Sequence, residues 1–158
     1  MTDPMVSAAR HKFDRCVTDM RPCIEGATAE SLDWRPAGEE TNSIAILAVH
    51  AMTSSRTWLS VAVGAPEPDR DRDAEFRTTI EDPALLLDTF ESLAEECRSA
   101  LATDETIDWS AVRTPNRRPG SALETMTAGW TLLHALEHLR EHVAHLQLTR
   151  QLWDARQE

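Results

Sequence analysis

The chain has 158 residues, 41% apolar and 27% charged, which provides one domain with a single hydrophobic core and excludes a disordered or fibrous chain. Its formal net charge of −11, from 27 acidic and 16 basic side chains, opposes nucleic-acid phosphates and anionic membrane surfaces, so neither is an expected partner. No run of 18 apolar residues is present and "MTDPMVSAARHKFDRC" has neither a basic n-region nor an apolar h-region, so the expected location is cytoplasmic.

The first predicted helix runs from about Pro4 to Ile24. Asp3 is a suitable N-cap, and Pro4 stands at the first helical position, where a missing N–H costs nothing. Val6, Phe13, Val17 and Met20 supply an apolar stripe of the kind a helix buried on one side requires. The linker "GATAESLDWRPAGEETN" follows, its Gly and Pro residues ending helical structure. The second helix begins at Asn42 or Ser43 and is stopped by Gly64, with Ile44, Leu47, Ala51, Trp58 and Val61 on its inner face.

The segment "GAPEPDRDRDAEFRTTIED" is polar and long enough to cross the molecule, so the helices it joins need not be antiparallel. Asp82-Pro83 starts the third helix, in which Leu86, Phe90, Leu93 and Cys97 recur at spacings of three and four. Residues 103–124, with Arg117-Arg118-Pro119-Gly120, read as loop. The last helix starts near Thr125 or Thr127 and reaches about Trp153. No strand pattern of useful length appears, and the expectation is an all-α four-helix bundle spanning residues 1–158 as one domain. Cys16, Cys23 and Cys97 are odd in number and lack metal-ligand spacing. They are read as reduced core residues.

Residues 134–145, "HALEHLREHVAH", hold four of the six histidines. On a helical wheel Leu132, Leu136, Leu139, Val143 and Leu146 cover roughly 80° and form the packing stripe, while His134, His138, His142 and His145 occupy a separate arc centred roughly 125° away. His138 and His142 sit one turn apart, close enough for both imidazoles to reach one ion. The arc is either a solvated polar face or half of a metal site. His50, in "SIAILAVHAMTSSRTWL", lies on the inward face of the second helix. A buried imidazole needs partners for both nitrogens; His50 is either a core histidine bonded to a carbonyl or a third ligand from a facing helix. Three neutral imidazoles would leave a fourth tetrahedral position for water or substrate, as in a catalytic zinc site. "HLREH" also fits the H-x-x-E-H pattern of inverted zinc proteases, with Glu141 as the would-be general base. Glu141 projects roughly 60° or more from the two histidines, which speaks against that reading.

These features together resemble a known family. The histidine in "NSIAILAVH", the preceding "LDWRPAGEETNS" and a final helix with H-x-x-x-H look like the DinB/YfiT-like metalloenzymes, related to bacterial domains of the mycothiol-dependent maleylpyruvate isomerase type. The resemblance implies His50, His138 and His142 as metal ligands, and a four-helix bundle with a long crossover between the second and third helices. It further implies a divalent metal, zinc or nickel, a homodimer, and transfer or isomerisation chemistry on a small-molecule substrate with a low-molecular-weight thiol such as mycothiol or bacillithiol. A metal-dependent hydrolase and a non-catalytic, stress-related metal-binding bundle are the alternatives. Where many relatives carry an Arg-Gly pair and a glutamine after the last ligand, this chain reads "EHVAHLQL". His145 thus becomes a candidate alternative ligand, acid/base group or partner of a ligand. Arg56 and Arg140 are candidate cofactor-binding residues, as cations able to hold a carboxylate on thiol or substrate.

Overall fold

The computed structural model describes residues 3–103, 106–116 and 125–156. In chain order it contains α1 (Pro4–Ile24), α2 (Ala29–Asp33), a 3-10 turn (Gly38–Glu40), α3 (Ile44–Val63), α4 (Arg72–Glu75), α5 (Pro83–Ala100), β1 (Val112–Arg113), β2 (Met126–Thr127) and α6 (Ala128–Ala155).

Short polar side chains start the long helices. Asp3 accepts from the N–H groups of Met5 and Val6, Ser43 from Ile46, Asp82 from Ala84 and Thr127 from Trp130, each satisfying a donor that the first helical turn leaves unpaired. At the other end of α3, Gly64 adopts a left-handed conformation with φ +80° and closes the helix, a conformation that costs a residue with a Cβ.

Side-chain pairs across the helices give their directions. Asp14 with Arg98 and Arg21 with Glu91 make α1 and α5 antiparallel. Asp19 with Arg140 and the Cys23 carbonyl with Arg150 make α1 and α6 parallel. His50 beside His142 and Trp58 beside His134 make α3 and α6 antiparallel. The neighbours α3 and α5 therefore point the same way, and segment 64–82 must return the chain along a helix about 30 Å long. That is the crossover expected from its length, and it is fastened where the Asp33 carboxylate accepts the Ile80 N–H at 3.0 Å.

The core is drawn from all four long helices and includes Phe13, Met20, Leu47, Met52, Leu86, Phe90, Leu139 and Val143, each such side chain contributing roughly 1.5–3 kcal/mol by leaving water. Cys16, Cys23 and Cys97 are free and buried, as expected. Helix α3 borders α5 and α6 as well as α1 and α2. It is buried on nearly every side, so the single inner face read from its periodicity understates its packing.

The connections hold more structure than the sequence indicates. Thr28 caps α2 through the Ser31 N–H and Asp71 caps α4 through the Ala74 N–H; both helices are too short for a hydrophobic period. Val112 and Arg113, in the segment read as loop, pair with Thr127 and Met126 at the expected start of the last helix, a ladder of two residues per strand that alternation cannot reveal. Arg117-Arg118-Pro119-Gly120 lies outside the described residues. Among the described residues no helix is long and apolar enough to cross a membrane.

Candidate functional site

His50 sits midway along α3, 5% exposed, on the side that meets α6. The i, i+4 spacing of His138 and His142 stacks their rings against it. Ring centroids of His138 and His142 lie 5.3 and 4.9 Å from that of His50 and 4.4 Å from each other. The Nε2 atoms of His138 and His142 are 3.2 Å apart. One ring nitrogen from each of the three lies within 4.8 Å of the others.

The site keeps His138 and His142 neutral. Burial is the largest cause, and the nearby histidines act in the same direction; together they lower His138 to about 3 and His142 to about 4. At neutral pH both rings therefore carry a lone pair available to a Lewis acid. Their Nδ1 atoms are buried without a hydrogen-bond partner. Facing nitrogens, neutral rings and a mixed helix origin fit a borderline divalent ion such as zinc or nickel.

The crossover brings two residues that the sequence reading does not single out. Glu75, at the end of α4, is 4% exposed and its Oε2 lies 2.8 Å from His50 Nδ1. Arg70 donates to both oxygens of Glu75, from Nε at 2.6 Å and from Nη2 at 2.8 Å. Burial works to raise the Glu75 pKa, but hydrogen bonds from Arg70 and His50 outweigh it and hold the carboxyl below its ordinary range. In "PEPDRDRDAEF" Glu75 is one acid among several. The available signal is that a ligand histidine usually needs an acceptor for its other nitrogen. Phe76 packs its ring 4.6 Å from that of His50 and carries the Arg72 guanidinium on its face.

His134 lies one turn before His138, its ring stacked on Trp130 at 4.9 Å and met edge-on by Trp58 at 4.7 Å. It is part of an aromatic wall beside the three histidines. His145 is exposed, its ring 5.7 Å from that of His142, and it does not join the trio. Glu141 is exposed. Arg56 pairs with Glu96 at 2.9 Å and donates to the Asp69 carbonyl. Arg140 pairs with Asp19 of α1 at 2.7 Å, on a groove of about 720 Å³ between α1 and α6 that Lys12 and Leu133 also line. The arginine gathered to the histidines is Arg70.

An all-α fold with three histidines drawn together from two facing helices defines a helical protein with a candidate metal centre. The chain belongs to the DinB superfamily, whose family model matches residues 12–146. It is also similar to a crystal structure described as the conserved protein of locus from Enterococcus faecalis, with a TM-score of 0.71, 16% identity, and coverage of 96% of this chain and 97% of that one. At that identity the likeness speaks to the fold alone. No curated protein matches the chain.

Proposed function

We propose that His50, His138 and His142 hold one divalent ion, zinc or nickel, and that the protein uses it in thiol-dependent transfer or isomerisation. The observation that carries this reading is the convergence of three ring nitrogens within 4.8 Å at a site where burial keeps His138 and His142 neutral. Held by the imidazoles of His50, His138 and His142, an ion would keep its full charge and would supply a lowered pKa to a thiol or water at a remaining position. Within this reading the thiol is a low-molecular-weight one such as mycothiol or bacillithiol, and the substrate a small electrophile. Phe76 shields the back of His50 from water, while the wall of Trp58, His134 and Trp130 offers apolar surface beside His138.

A homodimer belongs to the same proposal, supported by the exposed apolar side chains Leu133, Leu148 and Leu152 along α6. Cytoplasmic residence is supported by three free, buried cysteines, which suit a reducing compartment.

The test is the metal content of untagged protein purified without added metal, beside His50→Ala and His142→Ala, followed by titration of the loaded protein with thiols. About one ion per chain, lost in both variants, supports the site; thiol affinity that requires the ion supports the transferase. Bound metal with no thiol affinity at any loading rejects the transferase and leaves hydrolysis or a brace between α3 and α6. Sedimentation at increasing concentration tests the dimer.

A further inference from the structure

We propose that Glu75, clamped by Arg70, is the positioning residue that fixes the tautomer of His50 and thereby presents its Nε2 lone pair to the ion. The inference rests on the metal reading and extends it to the crossover, which contributes no ligand of its own.

An ionised carboxylate only accepts hydrogen bonds. With Glu75 Oε2 at 2.8 Å from His50 Nδ1, a hydrogen sits on Nδ1 between the two, and Nε2 is the nitrogen left to face an ion. Without that acceptor both tautomers are open to His50, and the one with hydrogen on Nε2 cannot bind an ion from that nitrogen. Carboxylates behind ligand histidines act in this way at many metal sites.

Arg70 explains why Glu75 stays behind the histidine. Its Nε and Nη2 hold one carboxylate oxygen each, at 2.6 and 2.8 Å, which fixes the carboxylate in place with Oε2 still turned to the His50 Nδ1–H. The two side chains are 17% and 5% exposed, and their charges cancel in place. An ion here would face three imidazoles, with an ion pair of no net charge behind His50. The clamp is itself held: Asp71 caps α4 through the Ala74 N–H at 3.0 Å, and Thr78 donates to the Glu75 carbonyl at 2.8 Å.

Two double variants differ only in the acceptor and leave no unpaired charge. Glu75→Gln/Arg70→Ala keeps an oxygen for the His50 Nδ1–H, whereas Glu75→Ala/Arg70→Ala removes it. Histidine tautomers are read by long-range proton–nitrogen NMR on metal-free, nitrogen-15-labelled protein, and zinc affinity by competition with a chromophoric chelator. The wild type and the Gln variant are expected to show His50 protonated on Nδ1. The Ala variant is expected to show a mixture and to bind zinc about 10- to 100-fold more weakly than the Gln variant. Equal affinities in the two variants, or hydrogen on Nε2 of His50 in the wild type, overturn the proposal. If the wild type binds no zinc but shows the Nδ1–H form, the metal reading fails while the tautomer assignment stands.

Discussion

Loading the site with zinc should stabilise the fold by an amount that depends on His142. In the unfolded chain the histidines of α3 and α6 are separated by residues 51–137 and no site exists, so an ion that binds only the folded form would add its binding free energy to stability. At free zinc about 100-fold above the dissociation constant the gain is about 2.7 kcal/mol, which for a chain of this size moves the thermal midpoint by about 5–11 °C. Differential scanning calorimetry in buffered zinc should show that shift for the wild type. In His142→Ala one of the three converging nitrogens is gone, and the shift at the same free zinc should collapse to a small part of it. The comparison is between shifts, because removing a half-buried ring also changes the metal-free midpoint. An equal shift in His142→Ala would mean that zinc binds elsewhere, for instance on the exposed His145. No shift in the wild type at saturating zinc would refute the site.

In the metal-free protein, stability should fall as the pH drops from about 6.5, since the unfolded histidines take up protons while His138 and His142 resist until about 3 and about 4. Depressed native pKa values give stability that is present above 6.5 and lost below it, each ring adding up to about 1.4 kcal/mol per pH unit, less screening by solvent at these half-buried positions. Urea midpoints between pH 7 and 4.5 should show this slope, flattened in His138→Asn; an unchanged slope would contradict the assignment. Gly64→Ala should cost about 1–2 kcal/mol in urea unfolding, because φ is +80° and a Cβ would lie 3.2 Å from Arg113 Nη2; a neutral substitution would contradict the strain. Cys97, unexposed and with its thiol pushed up to about 12 by burial, should stay unmodified by a thiol reagent in the native state and react on unfolding. Rapid native labelling of Cys97 would show that the α3–α5 interface opens.

The long helices are legible because their caps and stripes are local. Asp3, Ser43, Asp82 and Thr127 each stand within a few residues of the donor they satisfy, and Leu86, Phe90, Leu93 and Cys97 report burial through spacing alone. The three histidines are legible for related reasons: two share a helical arc, and the third is a polar residue on an apolar face. Glu75 and Arg70 are not, because their roles arise only when the crossover folds over α3, some 20 residues or more from His50 in sequence. The arginines at 56 and 140 show the reverse case. Proximity along the helix to a ligand says nothing about side, and each is held by an acid on a different neighbour, Glu96 and Asp19.

The antiparallel contact of α3 with α6 also sets when an ion could act during folding. The three histidines come together only after the intervening chain, including α5 and the crossover, has been gathered, so closing that loop carries its entropy cost before any coordination bond could form. An ion that arrives after the rate-limiting step strengthens the native state alone. Zinc should then slow unfolding and leave the refolding rate unchanged, making it a latch on the finished protein.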